Sequence, residues 1–121
     1  MKTGIKIVDA MTANPISVNA DENVLNCVKK MIDEQVGSVL VVDETKLLGI
    51  VTERDLLNKV IAKNVDLKKT PISEVMSKKP IYAEPELDIY DAMVLMRIEE
   101  IRRLPVIDKG IVVGVLTHKD I

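Results

Sequence analysis

This 121-residue chain has no tryptophan, no phenylalanine, two tyrosines (Tyr82 and Tyr90), one cysteine and one histidine. Each scarcity excludes something. A platform that stacks single-stranded bases needs several aromatic rings, which are not here. The 17 basic and 19 acidic residues are intermixed and sum to a net charge of −2, so no basic tail or stripe is present to follow a phosphate backbone. Nucleic acid is therefore not an expected partner. No apolar run approaches the ~20 residues that span a bilayer, and no membrane partner is expected. The opening "MKTGIKIVDAM" lacks the apolar core of a signal peptide. Cys27 alone can close no internal disulfide, which points to a reducing, cytoplasmic location. A single histidine, His118, builds no metal cluster and no catalytic grouping within one chain. A Walker-type glycine loop, a nucleophile elbow and a pair of catalytic acids are also missing. The chain reads as a non-enzyme, with no catalytic and no metal-binding residues.

What the sequence does have is aliphatic bulk and a repeat. Apolar residues make up 47% and charged residues 30%, a balance that fits a folded protein. Shifting the sequence against itself by 65 places aligns Met11–Leu56 with Met76–Ile121 without a gap. Pro15/Pro80, Ile16/Ile81, Met31/Met96, Val41/Val106, Asp43/Asp108, Gly49/Gly114, Thr52/Thr117 and Asp55/Asp120 are identical, and most other pairs exchange one aliphatic for another. The chain contains two copies of one folding unit.

Each copy has the same order of signals. "NPISV" and "KPIYA" read as short extended segments entered through proline. The spacing of Val24, Leu25, Val28, Met31 and Ile32 predicts a helix face, with Ile89, Met93 and Met96 as its counterpart. Cys27 falls inside that stripe as a small buried residue, and Met11, Met31, Met76, Met93 and Met96 read as core. "SVLVVD" and "KLLGIVT", like "RLPVID" and "IVVGVLT", read as buried strands joined by a polar turn. A helix follows Thr52, and "PISEVM" restarts the pattern as a short helix. The expected organisation is residues 1–62 as the first repeat, 63–70 as a polar linker and 71–121 as the second. The second repeat stops one residue past its Asp, so its last helix is missing and the chain is expected to be trimmed from something longer. The fold class expected is α/β (α+β), with two β-α-β-β-α repeats packed face to face in pseudo-two-fold symmetry.

"TERD" and "THKD" admit two readings. Thr at an N-cap with a carboxylate three residues on is a capping box, worth about 1 kcal/mol. The same geometry suits a ligand: free N–H groups and a hydroxyl face a phosphate, and an Asp one turn in accepts hydrogen bonds from sugar hydroxyls. On that second reading Gly49 and Gly114 let the backbone approach the ligand. His118 beside Thr117 is either a phosphate contact or a first-turn surface residue. Arg102 and Arg103 are either ligand contacts or a solvated helix end.

The ordered set "M-x-x-x-P", "h-x-x-x-P-V-h-D" and "G-h-h-T-x-x-D", present twice, resembles tandem CBS domains, named for cystathionine beta-synthase and paired as a Bateman module. The second copy, "IRRLPVIDKGIVVGVLTHKDI", is similar to the regulatory gamma subunit of the AMP-activated protein kinase. The resemblance implies a regulatory module that needs no cofactor and binds an adenosine ligand (AMP, ADP, ATP or S-adenosylmethionine) in clefts between the repeats. It also implies a homodimer and a separate, unknown regulated protein. Carried across by motif position, Thr52 and Asp55 would meet Ile81, Arg102 and Arg103 in one cleft. Thr117 and Asp120 would meet Thr12, Ile16, Gly37 and Ser38 in the other, with His118 and Lys119 nearby. The alternative is a structural homodimerisation module whose clefts are vestigial. Copy one departs from the family pattern, with Leu40 in place of the proline seen at Pro105 and Gly37–Ser38 in place of Arg102–Arg103.

Overall fold

The computed structural model describes residues 2–13, 15–78 and 80–118. In chain order its main elements are α1 (Ile7–Ala10), β1 (Thr12–Ala13), β2 (Ser17–Asn19), α2 (Val24–Glu34), β3 (Ser38–Asp43), β4 (Lys46–Thr52), α3 (Glu53–Asp55), β5 (Ser77–Lys78), α4 (Ile89–Ile98), β6 (Arg103–Asp108) and β7 (Ile111–Thr117). A π-helical stretch, Leu56–Ile61, continues α3, and a 3-10 turn covers Ile72–Glu74. The fold is α+β, with two βαββα repeats and two sheets.

Both apolar strand pairs form antiparallel hairpins. The second turns through Lys109 (φ 52) and Gly110 (φ 83), a positive-φ pair that matches the right-handed twist of the flanking strands. Register shifts fall at matched places, between Val41 and Val42 and between Val106 and Ile107.

The repeat seen in the sequence is out of phase with the packing. One compact unit is residues 16–80, called here the continuous unit; the other, the split unit, joins residues 1–15 to 81–121. The continuous unit has sheet order β2-β3-β4-β5, and the split unit β1-β7-β6. Each edge strand stands at the start of one sequence copy yet pairs within the unit built mainly from the other copy: Ser77 and Lys78 of β5 lie opposite Ile50 and Gly49, while Thr12 and Ala13 of β1 lie opposite Val115 and Gly114.

This phase explains the repeated glycine. A Cβ on Gly49 would stand 2.6 Å from Met76 Sδ and 2.7 Å from the Ser77 carbonyl oxygen; on Gly114 it would stand 2.5 Å from Met11 Sδ and 2.8 Å from the Thr12 oxygen. The glycines admit a methionine and an edge strand, a steric reason for them that is separate from the close approach to a ligand expected above.

The helices lie where the spacing puts them, with their faces turned slightly. Asn23 caps α2 by accepting from the Asn26 N–H (2.8 Å), and Asp88 caps α4 by accepting from the Tyr90 N–H (2.9 Å). The buried residues are Val24, Cys27 and Met31 on α2 and Ile89, Ala92 and Met96 on α4. Ile32 is 68% exposed and Met93 37% exposed, each about 100° round the helix from a buried neighbour, so neither belongs to the core stripe. Of the other methionines expected in the core, Met31 and Met96 are buried, while Met11 and Met76 are half-buried against it.

The two proline-entered segments differ. In β2 three residues pair in parallel with β3, and the Leu40 N–H donates to the Ile16 carbonyl (3.1 Å). At the matched place stands Pro105, which has no N–H to give, and the described residues of "KPIYA", 80–83, keep only the isolated bridge Ala83–Val106.

Candidate ligand-binding site

The end of β4 and the start of α3 build a tight corner in the continuous unit. Register places Ser38 opposite Thr52, and the Glu53 N–H donates to the Gly37 carbonyl at 3.1 Å. Thr52 Oγ1 accepts from the Asp55 N–H at 3.3 Å, while Asp55 Oδ2 accepts from the Thr52 N–H at 3.0 Å and from its hydroxyl at 3.1 Å. The capping reading of Thr-x-x-Asp is therefore realised in the first repeat. The other carboxylate oxygen, Oδ1, accepts from Ser77 Oγ at 3.0 Å and pairs with Lys59 Nζ at 3.2 Å. Lys59 Nζ also donates to the Val75 carbonyl at 3.1 Å.

Asp55 is buried, and burial, the largest influence on its acidity, pushes its pKa up. The bonds from Thr52, Ser77 and Lys59 outweigh that push and hold the carboxyl below its ordinary value. It is an anion at neutral pH.

The split unit repeats the corner with different chemistry. Register places Arg103 opposite Thr117, and the His118 N–H donates to the Arg102 carbonyl at 2.9 Å, the counterpart of the Glu53–Gly37 bond. In the continuous unit the Glu53 carboxylate lies over Gly37, 2.6 Å from where a Cβ would stand. Here an arginine replaces that glycine and a histidine replaces that acid. One corner is acidic and the other basic. Arg103 is the first residue of β6 and Arg102 precedes it, so the pair is not a helix end.

Beside the basic corner opens a cavity of about 490 Å³, lined by Met93, Met96, Arg97, Ile101, Arg102 and His118. Three of those residues are apolar (Met93, Met96, Ile101) and three basic (Arg97, Arg102, His118). The sequence reading missed Arg97 and treated Met93 as core alone. The signal was available, since the repeat alignment sets Arg97 against the apolar Ile32.

The remaining expected site residues belong some to one unit and some to the other. In the continuous unit Ile16 is half-buried with its carbonyl pinned by Leu40, and Ser38 is buried. In the split unit Thr12 is exposed on β1 and Ile81 is 37% exposed. Lys119 and Asp120 lie outside the described residues. The structure thus brings Thr52 and Asp55 together with Gly37 and Ser38, and Thr117 and His118 together with Arg102 and Arg103, each set inside one unit.

Two other features limit the chemistry. The buried Cys27 thiol is pushed up to about 11, first by burial and then by Glu22, so at neutral pH it is protonated and a poor nucleophile. Among the described residues no group of three or more His, Cys, Asp or Glu could hold a metal ion, and no helix is long and apolar enough to cross a membrane.

Comparison with known proteins gives concordant results. A family model described as "CBS domain" matches residues 7–62 and 72–121. The CBS domain-containing protein YhcV of Bacillus subtilis is 32% identical over 115 residues, covering 95% of this chain and 81% of that protein. Several longer relatives are spanned over only 19 to 22% of their length. Among solved structures, the CBS domain NE2398 is 32% identical with a TM-score of 0.81, covering 89% of this chain and 84% of that one. The CBS domain protein PAE2072 of Pyrobaculum aerophilum, solved in complex with AMP, has the same fold at 24% identity. Its TM-score is 0.85, covering 96% of this chain and 89% of that one.

Proposed function

The chain belongs to the CBS-domain family, and from that premise we propose that it is a regulatory module that senses an adenosine-containing ligand (AMP, ADP, ATP or S-adenosylmethionine). Binding would make and break no covalent bond. The carrying observation is the basic corner of the split unit, where Arg102, Arg103, Thr117 and His118 gather at one strand end beside a cavity that Met93, Met96 and Ile101 also line. Guanidinium forks pair with phosphate oxygens, and an aliphatic lining accepts a purine ring. Thr52 and Asp55 form a second contact set suited to sugar hydroxyls, and Thr12, Ile16, Gly37, Ser38, Ile81, Lys119 and Asp120 complete the proposed set. AMP on PAE2072 supports the ligand class. The likeness of residues 101–121 to kinase gamma subunits supports an adenine nucleotide within it. The regulated protein would be a separate chain, recognised through a surface that changes with ligand.

Titration of Arg102→Ala with AMP and with adenosine tests the assignment. Loss of a charged hydrogen bond should weaken AMP by roughly 10- to 150-fold and leave adenosine nearly unchanged. Equal losses for both ligands would remove the phosphate role from Arg102.

A second reading, homodimerisation, is favoured by the helical aliphatics left in solvent: Ile32 at 68%, Ile61 at 69% and Leu57 at 58% exposure in the continuous unit, and Ile98 at 71% in the split unit. Sedimentation with and without AMP separates the two. A dimer indifferent to ligand, in a protein that binds no nucleotide, would favour the scaffold.

A further inference from the structure

Asp55 carries more partners than a helix cap requires. A carboxylate offers about four lone-pair directions, and all four are taken. Thr52 fills two of them on Oδ2 from within the same turn. The other two, on Oδ1, are filled from elsewhere in the continuous unit: Ser77 Oγ comes from β5 and Lys59 Nζ from the π-helical stretch. Lys59 ties the same place to the Val75 carbonyl, so Oδ1 is the knot that holds the Val75–Ser77 segment to the corner. Val75 is buried in the core and Met76 packs against it, but β5 itself, Ser77 and Lys78, pairs with β4 through two residues only.

A ribose diol seeks the same oxygen. Two vicinal hydroxyls donating to an aspartate need free lone pairs, and Oδ1 has none while Ser77 and Lys59 are in place. We propose that Ser77 and Lys59 are affinity-determining residues at this site, occupying on Asp55 the positions that the ligand's sugar hydroxyls take, so that binding displaces them and loosens β5. This rests on the reading of Asp55 as a ribose contact. It adds a competing contact set and a consequence for the sheet edge.

The sign of one mutation decides the matter. A residue that merely positions Asp55 helps the ligand, and its loss weakens binding. A competitor hinders the ligand, and its loss strengthens binding. Adenosine and 2′,3′-dideoxyadenosine, which lacks the diol, are titrated against the intact protein and Ser77→Ala. The expected result is adenosine binding about 3- to 10-fold tighter to Ser77→Ala, with dideoxyadenosine unchanged. Equal or weaker adenosine binding to Ser77→Ala, in the face of measurable binding to the intact protein, would overturn the competition and leave the nucleotide reading standing. Absence of binding by adenosine and AMP to both proteins would overturn the nucleotide reading itself, and this inference with it. Amide exchange on the unaltered chain gives a second readout: Ser77 and Lys78 should exchange faster with saturating AMP, and slower or equal exchange would contradict displacement.

Discussion

At the scale of single residues, Asp55 carries the most consequence. Its folded pKa is lowered, so its contribution to stability is present above the unfolded value and is lost as the pH falls through the folded one. The affected window lies at and below the ordinary Asp value of 3.8. Asp88 acts in the same direction: burial pushes it up, but the N–H groups of Tyr90, Gly4 and Thr3 and the Thr3 hydroxyl hold it down. Asp55→Asn should destabilise the protein by about 1.5–3 kcal/mol at pH 7, because charged hydrogen bonds to Thr52, Ser77 and Lys59 are weakened together. Urea unfolding at pH 7 and pH 3 checks this. The gap between variant and parent should narrow at the lower pH, and a gap independent of pH would show that the charge is not what stabilises. The sequence identified Thr52 and Asp55 as a pair and offered both of their uses. It could not show Ser77 and Lys59 on the same carboxylate, because Ser77 is 22 residues away and reaches Asp55 only through strand pairing.

Elements were legible where the signal is local. The helix of Val24–Glu34 follows from its period, and the hairpins follow from aliphatic runs divided by a short polar turn. The faces were legible to within one residue: Ile32 and Met93 match the helical period but lie at the edge of the buried arc, which period alone does not locate. The shortened pairing of "KPIYA" was written in Pro105, whose missing N–H is matched by the Leu40 bond in the other copy. Edge strands were not legible, since β1 and β5 are two residues long and pair across large sequence distances. Their mark in the sequence is Gly49 and Gly114, whose reason is steric. Gly49→Ala should cost about 1–3 kcal/mol by overpacking against Met76 and Ser77. Adding Met76→Ala removes the sulfur but not the Ser77 carbonyl, so thermal denaturation of the double variant should show no full rescue. Complete recovery would place the whole clash at the methionine.

At the scale of the whole molecule, a doubled sequence gives two compact units whose membership is shifted against the repeat, because each edge segment joins the sheet made mainly from the other copy. Doubling also let the two corners diverge. Gly37 and Glu53 of the first copy correspond to Arg102 and His118 of the second, on a matching backbone bond. The sequence showed that asymmetry as a list of residues. The apolar lining of Met93, Met96 and Ile101 beside it needed the helix and the strand end brought together in space. On the function proposed above, these corners, each within its own unit, serve adenosine ligands. Calorimetric titration of the intact protein with AMP, ATP and S-adenosylmethionine tests it most directly. Saturable heat is expected for at least one of the three, with the phosphorylated ligands favoured by the basic corner. No heat from any of them would contradict it and leave the Thr-x-x-Asp motif of the first repeat as a helix cap alone.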